Sequence, residues 1–211
     1  MKKISGDQVR WGVIGVGDVC ELKSAPAMQL IKDSSLVAVM RRNGAKARDY
    51  AQRHQVAKWY DDAQELINDP EVNAIYIATP PDGHAKYTVE AAASGKPVYV
   101  EKPMARNSSE CKVMIEACKK ANVPLYVAYY RRRLPNFEKL KSLLEQGAIG
   151  EVQSLKIELI QSIDPEVVRG NEQVNWRVNP RVAGGGYFFD LASHQFDYLD
   201  YVFGPVETVS G

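Results

Sequence analysis

Six short apolar runs alternate with helix-like segments over the first 130 residues, and this alternation constrains the fold most strongly. The runs cover residues 9–14, 35–40, 57–60, 72–78, 98–100 and 123–128. Helical patterns at residues 19–32, 44–54, 62–68, 85–94 and 108–121 separate them. Near-continuous apolar strands are typical of a parallel sheet that helices cover on both faces. The pattern therefore predicts an α/β fold with a doubly wound parallel sheet.

The pattern changes after Tyr130, where we place a domain boundary. Residues 151–161 alternate apolar and polar positions over a greater length than any earlier run, and residues 206–210 resemble the start of another strand. Long alternation is typical of an antiparallel sheet with one solvated face. We therefore expect one domain at residues 1–130 and a partial α/β domain at residues 131–211, built on a mainly antiparallel sheet.

Composition argues against several classes of protein. The chain has 211 residues, of which 45% are hydrophobic and 25% charged, and its net charge is +1. Such balanced charge argues against nucleic acid or an anionic membrane as the main partner. No apolar run approaches the roughly 20 residues of a membrane span. Three cysteines without a Cys-x-x-Cys pair, and only three histidines, argue against a metal site and favour a reducing, cytoplasmic setting.

The first apolar run ends in Gly15-x-Gly17. In dinucleotide-binding turns, backbone at such glycines approaches a pyrophosphate, which the next N–H groups hold. Those groups here belong to Asp18 and Val19. Cys20 occupies the usual third small-residue position, so the stretch alone fits an ordinary strand-to-helix turn equally well.

Arg41 and Arg42 follow the second apolar run directly. In a dinucleotide-binding fold, an Asp or Glu at that place would hydrogen-bond the ribose 2′-hydroxyl of NAD. Two guanidinium groups suit a 2′-phosphate instead, so the sequence predicts a preference for NADP over NAD. The alternative interpretation is two solvated arginines at a strand end.

Two more predicted strands end in polar loops, one with Thr79, Pro80 and His84, the other with Glu101 and Lys102. Ligands bind at the carboxyl ends of the strands in open parallel sheets. A lysine there could donate to a substrate oxygen, although a lone lysine in such a loop is more often a surface charge.

Asp190 and His194 are four residues apart in a predicted helix at residues 190–203, so they share one helix face. A carboxylate and an imidazole on one face can bind a hydroxyl and transfer its proton. The alternative is an N-capping aspartate and a partly buried histidine, which is the commoner meaning of an isolated Asp-x-x-x-His.

Taken together, these stretches resemble the glucose–fructose oxidoreductase/inositol dehydrogenase/MocA (Gfo/Idh/MocA) family over nearly the whole chain. The matching residues are Gly12-Val-Ile-Gly-Val-Gly17, Ala78-Thr-Pro-Pro81 with His84, Glu101-Lys-Pro103, Val127-Ala-Tyr-Tyr-Arg131, Ile149-Gly-Glu-Val152, Trp176-Arg177, and Ala183-Gly-Gly-Gly186 with Asp190-Leu-Ala-Ser-His194. The resemblance implies an N-terminal Rossmann domain and a C-terminal α/β domain with a large, mainly antiparallel sheet.

The resemblance also implies site residues and a reaction. Lys102, Asp190 and His194 would be catalytic, with His194 as the proton donor or acceptor. The residues implied in NADP or NAD binding are Gly15, Gly17, Asp18, Val19, Arg41, Arg42, Thr79, Pro80, His84, Glu101, Lys102, Arg131, Trp176 and Arg177, with Glu101 at the nicotinamide ribose. Hydride would pass between nicotinamide and a sugar, keto-sugar or polyol. A non-catalytic NAD(P)-binding regulator, or an inactive fragment that only binds cofactor, stays an alternative.

Three features depart from the family pattern. Cys20 replaces a small residue, and Tyr130 stands where relatives often have Asn. The chain also ends at Gly211, early in the second domain, which suggests a truncated product or an expressed fragment. Full-length relatives would be homo-oligomers, either dimers or tetramers.

Overall fold

A computed structural model describes residues 4, 7–160, 162, 165, 169 and 176–210. Contacts divide the chain into two compact units. The first contains Met1–Ala128 and Arg181–Gly184, and the second contains Tyr129–Pro180 and Gly185–Gly211. Residues 181–184, which lie within the predicted second domain, thus belong to the first unit.

The first unit is built on a parallel sheet. Its strands are β1 (Val9–Ile14), β2 (Ser34–Met40), β3 (Lys58–Tyr60), β4 (Ala74–Ile77), β5 (Val98–Val100) and β6 (Leu125–Val127). They lie in the order β3-β2-β1-β4-β5-β6, and each neighbouring pair is parallel. This is the strand order of a Rossmann fold, in which the order reverses between β1 and β4. The predicted doubly wound parallel sheet is confirmed.

Helices connect these strands, namely α1 (Asp18–Leu22), α2 (Ser24–Leu30), α3 (Gly44–Arg53), α4 (Ala63–Asn68), α5 (His84–Ala93) and α6 (Ser108–Ala121). The single helix predicted at residues 19–32 is divided at Lys23, and Pro26 lies near the start of α2. Proline is tolerated in a first helical turn because its missing N–H would have no intrahelical acceptor there. Within the described part of the chain, no helix combines the length and hydrophobicity needed to cross a bilayer.

Alternating side chains of the strands supply a hydrophobic core on each face of the sheet. Ile14 and Ile77 belong to one core cluster, whereas Val13 and Tyr76 belong to the other. All four are fully buried. Burial of each such side chain stabilises the fold by about 1.5–3 kcal/mol, so the strand ends that carry the site rest on a rigid support.

The second unit contains α7 (Pro135–Glu145) and α9 (Gly186–Phe203). Between them in the chain lies α8 (Pro180–Ala183), most of which belongs to the first unit. Two partly buried contacts hold α9. The Tyr198 hydroxyl donates to the Phe137 carbonyl at 2.6 Å, and their rings meet edge to face at 4.7 Å. Arg132 donates from Nη2 to Asp197 Oδ1 at 2.6 Å, and that carboxylate is only 7% exposed.

The antiparallel sheet predicted for the second domain is not seen. Every strand pairing among the described residues is parallel and lies in the first unit. Residues 151–160 and 206–210 form no strand, while residue 161 lies outside the described residues. A strand needs hydrogen bonds to a neighbouring strand, and alternation alone does not supply that neighbour. Leu155, Ile157 and Leu159 are accordingly about half exposed.

Candidate active site

The predicted cofactor residues of the first unit follow the carboxyl ends of its strands. Gly15 comes after β1, Arg41 after β2, Thr79 after β4 and Glu101 after β5. Backbone bonds extend the sheet into these loops, since Ala78 donates to the Ile14 carbonyl at 2.9 Å and Glu101 donates to the Ile77 carbonyl at 2.9 Å. Because the strands are parallel, these loops share one edge of the sheet, where ligands bind in such folds.

Gly15 and Gly17 give the first loop its shape. Gly15 has φ +96°, and a Cβ there would lie 2.8 Å from the Thr79 backbone nitrogen. Only glycine therefore allows this close approach of the β1 and β4 loops. A Cβ at Gly17 would meet no protein atom within 4 Å, so the backbone at Gly17 borders open space. Asp18 and Val19 follow at the start of α1, where N–H groups lack intrahelical acceptors. This cradle fits a pyrophosphate.

Cys20, the departure from the family pattern, is fully buried beneath the turn. Its Sγ lies 3.8 Å from the Gly15 carbonyl oxygen, and the Tyr50 hydroxyl donates to the Cys20 carbonyl at 2.8 Å. Burial raises the pKa of the Cys20 thiol to about 12. The residue therefore acts as an uncharged packing group that holds α1 against the core.

Arg41 and Arg42 lie at the end of β2 next to the glycine turn. The Arg41 Nη1 donates to the Val16 carbonyl at 3.2 Å, which ties the end of β2 to the cradle. Arg42 is exposed. A guanidinium pair in this position can reach a phosphate bidentately.

His84 joins two of the strand-end loops. It is 1% exposed, and its Nε2 lies 2.8 Å from the Thr79 carbonyl oxygen in the loop after β4. Its Nδ1 lies 3.0 Å from the Pro103 carbonyl oxygen and 3.2 Å from that of Met104, in the loop after β5. Burial lowers the pKa of His84, although these carbonyls oppose the shift. The ring thus holds the loops that carry Thr79, Pro80 and Lys102 in place. Almost none of its surface is left for direct contact with a cofactor.

Glu101 and Lys102 follow β5, and the Lys102–Pro103 peptide bond is cis. The buried Tyr76 hydroxyl donates to Glu101 Oε1 at 2.5 Å, and the Lys102 amide donates to Glu101 Oε2 at 3.1 Å. Sequence reasoning missed Tyr76. The signal lies in the register, because Tyr76 pairs with Tyr99 and Glu101, two residues further, points to the same face of the sheet.

Asp190 and His194 lie one turn apart on α9 in the second unit. His194 is 3% exposed. Its ring has edge contacts with Tyr129 at 6.0 Å and Tyr130 at 5.1 Å between ring centroids. Tyr130, the second departure from the family pattern, therefore packs against the proposed proton donor.

The other predicted site residues of the second unit are Arg131, Trp176 and Arg177. The Arg177 guanidinium stacks on the Trp176 ring at 4.5 Å, and that of Arg131 lies 5.8 Å from the centre of the Phe137 ring. Nowhere in the described ranges do three or more His, Cys, Asp or Glu residues gather in an arrangement that could hold a metal ion.

Known proteins match both parts of the chain. Residues 9–129 match the GFO_IDH_MocA model, described as an oxidoreductase family with an NAD-binding Rossmann fold, and residues 137–211 match the GFO/IDH/MocA C-terminal domain. Oxidoreductase P35 of Formosa agariphila is 46% identical over 202 residues, which make up 96% of this chain and 63% of that protein.

Two solved structures also align with the chain. The WlbA dehydrogenase of Bordetella pertussis, in complex with NADH and UDP-GlcNAcA, is 27% identical with a TM-score of 0.86, and the match covers 97% of this chain and 58% of WlbA. Levoglucosan dehydrogenase, in complex with NADH and levoglucosan, is 31% identical with a TM-score of 0.79, and the match covers 93% of this chain and 54% of that one.

The chain thus spans between half and two thirds of the length of these relatives. Its Rossmann strand order agrees with the match of residues 9–129 to the N-terminal family domain. The chain belongs to the Gfo/Idh/MocA family of oxidoreductases, whose N-terminal domain is an NAD-binding Rossmann fold.

Proposed function

We propose that this chain belongs to an NAD(P)-dependent oxidoreductase that transfers hydride between nicotinamide and a sugar, keto-sugar or polyol. The observation that carries the proposal is the open cradle at Gly17, beside the polar strand-end loops. The names of two relatives support it, since one acts on levoglucosan and the other was solved with a UDP-sugar acid and NADH.

The cofactor would extend along the carboxyl edge of the sheet. Gly15 and Gly17 would let the backbone approach the pyrophosphate, and the N–H groups of Asp18 and Val19 would hold it, since the Gly15 and Gly17 amides already donate to the Met40 and Gly15 carbonyls. The nicotinamide half would meet Thr79, Pro80 and Glu101, with Arg131, Trp176 and Arg177 as further contacts from the second unit. When bound, the nicotinamide supplies or accepts the hydride.

We infer a preference for NADP from the end of β2. Arg41 and Arg42 stand where an NAD-specific protein would place an acidic side chain. Arg41 already lies within hydrogen-bond distance of the glycine turn, which favours a phosphate contact over a solvated surface role.

The catalytic groups would be Lys102, Asp190 and His194. His194 would donate a proton to the substrate oxygen or accept one from it, and Asp190 would bind a neighbouring hydroxyl. Lys102 would donate a hydrogen bond to the reacting oxygen. The one-turn spacing of Asp190 and His194 on α9 supports this division of roles.

Hydride transfer is tested with wild type and His194→Ala. The chain is first titrated with NADH and NADPH, and turnover is then measured with a panel of sugars, keto-sugars and polyols that includes levoglucosan. We expect turnover in wild type, and about a hundredfold lower turnover in His194→Ala because general acid–base catalysis is lost. The Kd for NADPH should be unchanged.

Two other outcomes of this experiment would contradict the proposal. Tight cofactor binding by wild type without turnover of any substrate would favour the regulator or the cofactor-binding fragment. Full turnover by His194→Ala would remove His194 from the mechanism.

The proposal also includes the sheet of the second domain, the oligomeric state and the location of the protein. The alternation in residues 151–160 and the match to the family's C-terminal domain support an antiparallel sheet in the complete second domain. The dimer or tetramer, the lack of a nucleic-acid partner and the cytoplasmic location stay predictions.

A further inference from the structure

Tyr76 lies in β4 near the centre of the parallel sheet, and none of its surface is exposed. It belongs to the core cluster with Val13 and Val39, and its ring lies 5.3 Å from that of Tyr99. An aliphatic side chain could fill this space without a polar atom, whereas a buried phenol hydroxyl needs a partner. The partner is Glu101 Oε1, at 2.5 Å.

The Glu101 carboxylate is consequently held at both oxygens. Oε1 accepts from Tyr76, and Oε2 accepts from the Lys102 amide at 3.1 Å. A carboxylate offers about four lone-pair sites, so two stay available for a ligand after these bonds are made. The two bonds also restrict the rotation of a side chain that would otherwise lose its rotamer freedom on binding.

We propose that Tyr76 is a positioning residue that preorganises the Glu101 carboxylate for the hydroxyls of the nicotinamide ribose. This inference rests on the proposed function, in which Glu101 contacts that ribose. The ring of Tyr76 contributes to the core and its hydroxyl to the site. Removal of the hydroxyl alone therefore affects the nicotinamide half of the cofactor and leaves the adenosine half undisturbed.

The test compares two ligands on the full 211-residue chain. NADPH contains the nicotinamide ribose, whereas 2′,5′-ADP contains only the adenosine half with its 2′-phosphate. In Tyr76→Phe we expect the Kd for NADPH to rise about fivefold, as for a side chain that must be ordered on binding. The Kd for 2′,5′-ADP should not change. Calorimetric titration measures both constants without requiring turnover.

Tyr50→Phe is the matched control. Tyr50 is a buried tyrosine of the same core cluster, but its hydroxyl donates to the Cys20 carbonyl and not to Glu101. This variant should show no loss that is selective for NADPH. In a Glu101→Ala background, Tyr76→Phe should add no further loss, because the group that it positions is gone.

Three results would overturn the inference. They are an unchanged NADPH affinity in Tyr76→Phe, equal weakening of both ligands, and a full additional loss in the Glu101→Ala background. The last two would show that Tyr76 supports only the fold. If wild type binds neither NADPH nor NADH, the proposed function itself fails, and this inference fails with it.

Discussion

The two arginines after β2 show how single side chains could select the dinucleotide. Arg41 is anchored to the glycine turn through the Val16 carbonyl, and Arg42 is exposed beside it. A charge-assisted hydrogen bond to a phosphate contributes about 1.5 kcal/mol, roughly tenfold in affinity. Arg42→Ala should therefore raise the Kd for NADPH about tenfold, with the Kd for NADH nearly unchanged.

Arg48→Ala provides the control for this prediction. Arg48 is an exposed arginine on α3, so its removal changes the net charge equally without touching the end of β2. Titration of wild type, Arg42→Ala and Arg48→Ala with NADPH and NADH measures the Kd values that decide whether Arg42 contacts the 2′-phosphate. Equal effects of Arg42→Ala on NADPH and NADH would argue against a 2′-phosphate contact.

Residues differ in how far the sequence predicts their roles. The positions of Gly15, Gly17 and Arg41 follow from spacing along one strand and one turn, which are local features. Tyr76 could not be assigned because its partner, Glu101, depends on the register between β4 and β5. Cys20 departs from the small residue of the family pattern, and the structure buries it completely.

At the level of elements, His84 connects the loops after β4 and β5. Its ring nitrogens lie within hydrogen-bond distance of the carbonyl oxygens of Thr79 and Pro103, and the residue is 1% exposed. A buried acceptor that loses its donor costs about 1–3 kcal/mol. His84→Phe should therefore lower the free energy of unfolding by about 2 kcal/mol. Urea denaturation at pH 7.5 measures this loss, and an unchanged midpoint would contradict the role of His84.

The pKa of His84 also predicts a pH dependence. Burial lowers this pKa below its ordinary value of 6.5, against the opposing carbonyls and the Glu101 charge. The pKa of Glu110 is lowered chiefly by its hydrogen bond to Arg106, and the charge of His84 adds to that lowering. Below pH 6.5 the unfolded chain binds the proton more readily, so His84 destabilises the fold as the pH falls. The stability of wild type should decrease more between pH 7.5 and 5.5 than that of His84→Phe, and equal slopes would refute this.

Local signals explain why the strands predicted for the first unit are confirmed and the antiparallel sheet predicted for the second is not seen. A continuous apolar run between two helical patterns identifies a buried parallel strand from one segment alone. Residues 151–160 carry only an alternating pattern, and a strand of that kind is defined by a neighbour elsewhere in the chain. The sequence therefore indicates which segment could form a strand, but not whether a neighbouring strand is present to pair with it.

For the whole molecule, the candidate site residues divide between the two compact units. The cradle, Arg41, Glu101 and Lys102 belong to the first unit, and Asp190 and His194 belong to the second. Periodicity alone did not connect these groups, because they are distant in the sequence. The family resemblance connected them, because the motifs follow one another in the family's order and both family domains match.

The cradle at Gly17 is expected to bind the pyrophosphate of NAD(P), and Gly17→Ala is the variant that tests this role. A Cβ there meets no protein atom, and φ of −117° suits alanine, so the variant should unfold at the wild-type temperature. Gly12→Ala is the control that should lose stability, since its Cβ would lie 2.7 Å from Leu66 Cδ2.

The decisive measurement is the Kd of Gly17→Ala for NADPH and NADH by calorimetric titration. The new methyl group would occupy the space left for the phosphates, so we expect both constants to rise at least about tenfold, or about 1.4 kcal/mol. A Gly17→Ala protein that is as stable as wild type and binds both dinucleotides as tightly as wild type would show that the cradle does not hold the pyrophosphate.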